Sequence, residues 1–376
     1  MKITYLSTSR LPTEKAYGVT VMETFKAALS LGVEFTVCAP GNKSDHVRDQ
    51  IITIPAIKFP TFLRNHNLSG LRMAFFRLNS ILIPLIATGM RKLHKCDFIW
   101  LRDPLSALVL SSIVRRKRIL LEIHHRPIGL NLSLTRKLSK KNNLSFAALT
   151  PKLLEQIQND VPGIKILEAP MGVPESFFRS RDVAKKESEI RFLYIGKGES
   201  SGFDNGLGVL VGDFARALEL HPDMSMTFLG LEPRYQVLIT ERMVELGIRR
   251  EMVKFLDHVP HSQVPLILDS HDVGILPYLE STYNNERFPI KSLEYAAAEL
   301  SILVSETDAH SSLIGAKNAY FYKPGEVNSF EAQVSNLVEN LPLRNEKIAN
   351  AKVWAESFTY QKRVQRVMNH WLGESL

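Results

Sequence analysis

Two glutamates, Glu286 and Glu294, lie eight positions apart in the segment NNERFPIKSLEYAAAELSILVS, residues 284–305. Pro289 between them stands where a helix begins, because its missing N–H would be unpaired at the first helical position anyway. The next amides, of Ile290 and Lys291, then point out of the helix end. They form a site for a phosphate, to which the Lys291 ammonium adds charge. Carboxylates beside a phosphate are electrostatically unfavourable unless they serve hydroxyl groups, whose hydrogen bonds an ionised carboxylate accepts strongly. A sugar nucleotide supplies both parts, a diphosphate for the helix end and diols for the acids. The spacing by itself is weak, since a glutamate near a helix start is as readily an ordinary solvated residue.

A second constellation is LLEIHHRP, residues 120–127. A strand ending in His124 and His125 puts imidazoles at a sheet edge, and adjacent strand residues face opposite ways, so the two do not share one role. A lone histidine is more often structural than catalytic, and the strand-end position raises the claim of His124. Arg126 would face an anionic acceptor. Other chemistries are disfavoured. The chain has no Asp-x-Asp to bridge a metal to a diphosphate and no Gly-x-Gly-x-x-Gly after its first strand. Its two cysteines, Cys38 and Cys96, exclude a disulfide framework and cannot make a zinc site alone.

The elements that must position these groups alternate along the chain. Short β-branched runs at Ile3–Ser7, Val33–Cys38, Phe98–Leu101, Ile119–Ile123, Phe146–Leu149 and Ile164–Leu167 are separated by helical patterns such as Val19–Leu31. A second series runs from Ile190–Ile195 through Met226–Leu229, Val253–Leu256, Asp272–Leu276 and Ile302–Val304 to Ala319–Tyr322, with helices expected at Leu207–Leu220 and Pro289–Leu300. Strands alternating with helices imply parallel βαβ units and doubly wound sheets, with ligands beyond the carboxyl ends of the strands. The expected organisation is a Rossmann-like domain over residues 1–172 and a linker over 173–189. A second such domain follows over 190–352, and a C-terminal helix over 353–376 packs back on the first domain.

The net charge of +8 hides an asymmetry: residues 1–174 carry 25 bases against 11 acids, and residues 175–376 carry 22 against 28. Between Gln50 and Cys96 there is no acid, and the bases are Lys58, Arg64, Arg72, Arg77, Arg91, Lys92 and Lys95. Leu68, Leu71, Phe75, Leu78, Leu82 and Leu85 recur there at helical spacing, as a core stripe or as the apolar face of a basic surface. A basic, partly apolar surface suits an anionic bilayer or a lipid-linked phosphate, which nominates Arg72 and Arg77. No run of about 20 apolar residues is apparent to span a bilayer. The opening MKITYLSTSR lacks the features of a signal peptide, so a cytoplasmic protein is expected.

The segment around the two glutamates resembles the signature of the retaining GT-B glycosyltransferases of family 4. That signature is a Glu, seven residues, then Glu-(aromatic or Ala)-x-Ala, here Glu286, Glu294, Tyr295 and Ala297, with Ile302–Val304 as the following strand. The family's next Gly-x-Pro is replaced by Glu299–Ser301. Residues 1–40 are similar to the family's opening strand, loop and helix, with AYGVTVMETF placing Gly18 where a glycine approaches the donor phosphates. IRFLYIGKGESSGFDNGLG resembles the start of its nucleotide-binding domain, VKFLDHVPHSQVPLILDSHDVGILPY the flank of its base pocket, and EAPMGVPESFF its linker entry.

The resemblance implies a GT-B fold, two Rossmann-like doubly wound domains facing across a cleft, with the acceptor side in the first. It implies roles residue by residue. Glu294 holds the ribose, Glu286 the donor sugar, and Lys197 the diphosphate. Gly18, Phe288, Ile290, Lys291 and the backbone near Val259 complete the donor site, and His124 orients the sugar and steadies charge near the anomeric carbon. The family's second diphosphate lysine is missing, its place taken by Asn205, and the glycine after the first Glu appears as Pro289, removing one donor N–H. The implied activity is metal-independent, retaining transfer from a nucleoside-diphosphate sugar to a lipid-linked or surface-polysaccharide acceptor, with UDP favoured over GDP. No cofactor and no nucleic acid is expected, and the site of action is the inner face of the plasma membrane. The rivals are a GT-B nucleotide-sugar epimerase and a non-catalytic protein binding membranes or nucleic acid.

Overall fold

The computed structural model describes residues 1–11, 13, 15–41, 51–57, 69–91, 93–178, 189–200, 202–281, 284–285 and 288–373. The chain divides into two units, Met1–Pro170 together with Tyr360–Leu376, and Met171–Thr359.

The first unit runs β1 (Lys2–Leu6), α1 (Ala16–Ser30), β2 (Glu34–Ala39), β3 (Ile51–Thr53), α2 (Ser69–Gly89), β4 (Phe98–Leu101), α3 (Pro104–Ile113), β5 (Arg118–Ile123), α4 (Gly129–Leu138), β6 (Leu144–Ala148), α5 (Pro151–Asp160) and β7 (Ile166–Glu168). Its strands pair in parallel in the order β3-β2-β1-β4-β5-β6-β7. Every residue of β4 is buried, as expected where helices cover both faces of a parallel sheet. Alternation divides the strand between two cores: Ile99 and Leu101 join one layer, Phe98 and Trp100 the other. Helices begin where caps allow. Asp103 accepts the Ser106 N–H at 2.8 Å with Pro104 next to it, and Thr150 accepts the Leu153 N–H at 3.1 Å before Pro151.

The second unit runs β8 (Ile190–Ile195), β9 (Glu199–Ser200), β10 (Phe203–Asp204), α6 (Leu207–Leu220), β11 (Met224–Leu229), α7 (Pro233–Glu245), β12 (Val253–Leu256), α8 (Val264–Leu268), β13 (Val273–Leu276), α9 (Ile290–Ala297), β14 (Ser301–Ser305), α10 (Asp308–Leu313), β15 (Tyr320–Tyr322), α11 (Ser329–Glu339) and α12 (Leu341–Glu356). Its parallel sheet has the order β12-β11-β8-β13-β14-β15, and β9 and β10 form a small antiparallel hairpin after β8. Strand order reverses between β1 and β4 in the first sheet and between β8 and β13 in the second. These are the switch points where such sheets open to ligands.

Three readings of the sequence change. The pattern over 353–372 is not one helix: α12 ends at Glu356, and α13 (Tyr360–Leu372) follows after a break. Residues Tyr360 onward belong to the first unit. Of the expected linker, residues 179–188 lie outside the described ones, while Val173 already bridges Thr359 and Phe177 is buried. Finally, α2 is a single helix of 21 residues, because Arg72 and Arg77 interrupt the apolar run but not the helix. By length and composition alone, Gly70–Gly89 is long enough to cross a membrane. One face is in the core through Ser80, Ile83 and Ala87; the opposite face leaves Leu71, Leu78 and Leu85 at 41, 44 and 43% exposure. The leucine stripe is therefore mainly an outer face, with Leu68 outside the described residues.

Helix α13 is fastened by rings and by charge. Trp371 stacks on Phe98 with centroids 4.3 Å apart and meets Trp100 edge-on at 6.2 Å. Its carbonyl accepts from the Arg118 guanidinium. Removing a buried indole leaves a cavity and loses its transfer energy. Trp371→Ala should therefore lower the stability of the first unit by about 3–5 kcal/mol in equilibrium denaturation. The transition of the second unit should stay in place; an unchanged first-unit transition would contradict this packing.

Candidate functional site

In the second unit the expected carboxylate is held by its neighbours. Glu294 is 2% exposed, with Oε2 accepting from Lys291 Nζ at 2.6 Å and Oε1 from His261 Nε2 at 3.1 Å. Burial alone would push its carboxyl up, but the Lys291 charge and the His261 hydrogen bond outweigh that and bring it down to about 2. The next residue fixes the helix. Tyr295 packs its ring against Gly274 of β13, where a Cβ would come within 2.2 Å, and its hydroxyl accepts the Ile195 N–H at the end of β8 at 3.2 Å. Glu294 is thus tied to the switch point. His261, contributed by the loop after β12, packs at a tilt against Phe177 with ring centroids 5.1 Å apart. Reading the sequence missed His261. The only available signal was its place in the loop after β12, two residues beyond Val259; His258 is exposed and Val259 half-buried.

The start of α9 differs from expectation. Pro289 is the residue before the helix, not its first, with φ −80° and ψ 73°. Those angles make an inverse γ-turn, closed by the Ile290 N–H donating to the Phe288 carbonyl at 3.0 Å. The Ile290 amide is thus already used, and the Lys291 ammonium is paired with Glu294 instead of standing free for a phosphate. Phe288 is buried and lies 5.8 Å from the Phe358 ring. Glu286 lies outside the described residues.

The loop after β8 carries Lys197, whose side chain is 71% exposed and 3.2 Å from Glu232. Asn205, where the resemblance expects a lysine, is buried and braces that loop from within. Its Nδ2 donates to the Lys197 carbonyl at 2.7 Å and to the Tyr194 hydroxyl and Ser200 Oγ, each at 3.2 Å. Gly206 next to it has φ 81°, and a Cβ there would stand 2.3 Å from the Pro277 carbonyl. The Asn-Gly pair is therefore a structural brace between the loop and β13, and cannot present a cation to solvent.

In the first unit, Glu122 and His124 point to the same face of β5, as residues two apart on a strand must. Glu122 is 1% exposed. Its Oε2 accepts from Trp100 Nε1 at 2.8 Å and from Arg363 of α13 at 2.5 Å; its Oε1 faces Arg102 at 3.2 Å and His124 Nε2. Against the effect of burial, Arg363 and Arg102 hold this carboxyl well below the usual range. Burial first, then the Arg102 charge, brings the His124 imidazole down to about 4 despite the acid beside it. The ring is neutral near pH 7, so Nε2 carries the proton that Glu122 accepts. Glu122 gave no sequence signal beyond an acid inside an apolar strand.

Other nominated residues are engaged within the unit. Gly18 donates its N–H to the Lys15 carbonyl at 2.8 Å, and a Cβ there would meet Thr13 at 2.4 Å. The close approach it permits is to the chain's own loop. Arg126 makes a two-pronged pair with Asp160 at 2.8 and 2.9 Å, so it is not an open anion site. Arg72 also has a partner. Arg77 lines a cavity at the ends of β1 and β4. No group of three or more His, Cys, Asp or Glu among the described residues could hold a metal ion.

Two doubly wound parallel sheets of this kind make the fold GT-B, that of many glycosyltransferases. Residues 189–340, most of the second unit, match the family described as Glycosyl transferases group 1. Solved structures agree with the fold over the whole chain. Sucrose-phosphate synthase from Thermosynechococcus elongatus has a TM-score of 0.74 at 12% identity, covering 99% of this chain and 98% of its own. A glycosyltransferase from Rickettsia africae has a TM-score of 0.72 at 14% identity, covering 100% and 99%. Anabaena HepE in complex with UDP-glucose has a TM-score of 0.70 at 13% identity, covering 99% and 100%. No curated protein matches this sequence.

The depressed Glu294 carboxyl has a consequence for stability. Because its folded pKa lies below the unfolded value, the ionised pair stabilises the fold fully above about pH 4.5 and loses that contribution as pH falls toward 2. The expected loss is on the order of 3 kcal/mol. Glu294→Gln should flatten the acid limb of the second unit's stability profile, measured by denaturant titration between pH 5 and 2.5. An identical slope in both proteins would show that the carboxylate is not held ionised.

Proposed function

We propose that the protein transfers a sugar from a nucleoside-diphosphate donor, a UDP-sugar, to a lipid-linked or surface-glycan acceptor, with retention of anomeric configuration and without a metal ion. The observation that carries this reading is Glu294: a buried, ionised carboxylate at the switch point of the glycosyltransferase domain, held by Lys291 and His261. An ionised carboxylate has about four acceptor sites, so after both neighbours it still accepts from a ribose diol. HepE, of the same fold, was solved with UDP-glucose, which favours uridine for the base.

Departure of the diphosphate is the demanding step, and fixed positive charge eases it. Lys197 is the mobile cation for this role, since its exposed pairing with Glu232 costs little to exchange for a phosphate. Glu286 contacts the donor sugar in this reading. His124, neutral and with its Nε2–H donating to Glu122, offers Nδ1 as an acceptor to a sugar hydroxyl. The outer face of α2, where Leu71, Leu78 and Leu85 are exposed, suits peripheral attachment to the cytoplasmic face of an anionic membrane. An epimerase would need a carboxylate free to exchange protons in the first unit. Glu122 is locked by Arg102, Arg363, Trp100 and His124, which argues against that alternative.

Calorimetry with UDP and UDP-glucose tests the donor site. Glu294→Ala should abolish measurable binding, whereas Glu286→Ala should reduce turnover more than nucleotide affinity. Normal UDP binding by Glu294→Ala would refute the assignment. Turnover should survive EDTA; complete loss restored by magnesium or manganese would overturn the metal-free mechanism.

A further inference from the structure

The cavity at the carboxyl ends of β1 and β4 encloses about 580 Å³ within the first unit. It lies at the switch point of that sheet, where a doubly wound fold is open to ligands. Two independent features describe what it would hold.

The first is unbalanced charge. Arg102 lines the cavity, and it shares the single carboxylate of Glu122 with Arg363. His124 is neutral and burial pushes the Tyr5 phenol up to about 12, so neither alters the balance. One acid thus faces two guanidiniums in a buried cluster, and Arg102 Nε is buried with no hydrogen-bond partner among the described residues. A buried cation without its counter-charge is costly. Arg77 also lines the cavity and has no partner among the described residues. Asp103, the acid in the lining, uses Oδ2 to cap α3 and to accept from Ser106 Oγ at 2.6 Å. The second feature is exposed apolar surface. Met73 and Phe76 of α2, and Ile128 and Leu130 at the start of α4, line the same cavity at 52, 43, 75 and 47% exposure. Single exposed apolar residues need no explanation, but four around one cavity form a patch that calls for an apolar partner.

We propose that this cavity binds an anionic amphiphile, a phosphate carried on a long aliphatic chain, with the anion between Arg77 and Arg102 and the chain along Met73, Phe76, Ile128 and Leu130. A free phosphate would leave the apolar wall bare, and a neutral lipid would leave the guanidiniums unbalanced. Identifying this amphiphile as the sugar acceptor rests on the transferase reading above; its binding does not.

Dodecyl phosphate, titrated below its micelle concentration into the full chain and followed by calorimetry, tests the proposal, with dodecanol and inorganic phosphate as comparators. Dodecyl phosphate should bind at least about tenfold more tightly than either, and Arg77→Ala should weaken it about tenfold, as loss of a charge-assisted contact does. Arg77→Lys should keep most of the affinity. Phe76→Ser should weaken dodecyl phosphate while leaving UDP binding, and the thermal midpoint, in place. Equal affinity for dodecanol and dodecyl phosphate, equal affinity for inorganic phosphate, or an unaltered Arg77→Ala would each overturn the proposal. UDP binding lost in the wild type, with dodecyl phosphate still bound, would refute the donor reading alone.

Discussion

A buried carboxylate survives in a protein only where cations keep its charge favourable, and the candidate site in each unit of this chain is built on such an acid. Glu122 sits under Arg102 and Arg363 in the first unit; Glu294 sits between Lys291 and His261 in the second. In both cases burial opposes ionisation and the neighbouring cations overcome it. The rest follows from where the sheets permit this. Parallel strands buried on both faces have no room for charge along their length, so polar chemistry collects at the carboxyl edge and near the switch points. Glu122 also explains the return of the chain to the first unit: Arg363 of α13 bonds it and the carbonyls of Ala169 and Pro170 at 2.6 and 2.7 Å. Cutting this helix away would leave the acid short of a cation.

Much of the fold was legible in the sequence because strands buried on both faces are written as unbroken apolar runs. Phe98–Leu101, buried throughout, was read with the bounds that the structure has, and so were Ile190–Ile195 and the edge strand Val253–Leu256, whose apolar residues outweigh Arg191 and the exposed Lys254. What failed was set by tertiary context. A two-arginine interruption hid the length of α2, since an arginine on an outer helix face is compatible with continuous backbone hydrogen bonding. The break at residues 357–359 was hidden because both flanking segments are helical in pattern, and the division between units decides the break.

The site was legible in part. Lys291 was singled out as a cation beside a helix start, and Glu294 by its spacing from Glu286 in the family signature. Their mutual pairing was not foreseen, since spacing says which groups are near and not whether they bond each other or a ligand. His261 and Glu122 carried no local signal: one is a loop histidine among several, the other an acid in a strand whose cations come from distant parts of the chain. The family resemblance supplied Lys197 and Gly18. The structure leaves the first exposed and near Glu232, and shows the second accommodating its own loop.

The central claim is that the nucleotide-sugar bond is broken and the sugar handed on. Proton NMR of UDP-glucose incubated with the protein reads this directly, since the anomeric signal distinguishes intact donor, isomerised donor and released sugar. UDP should accumulate as the donor is consumed, with the first-formed sugar product keeping the donor's anomeric configuration. A new nucleotide sugar appearing with no UDP released would contradict the claim, as would a donor that binds and stays intact across the UDP-sugars tried, with dodecyl phosphate present or absent.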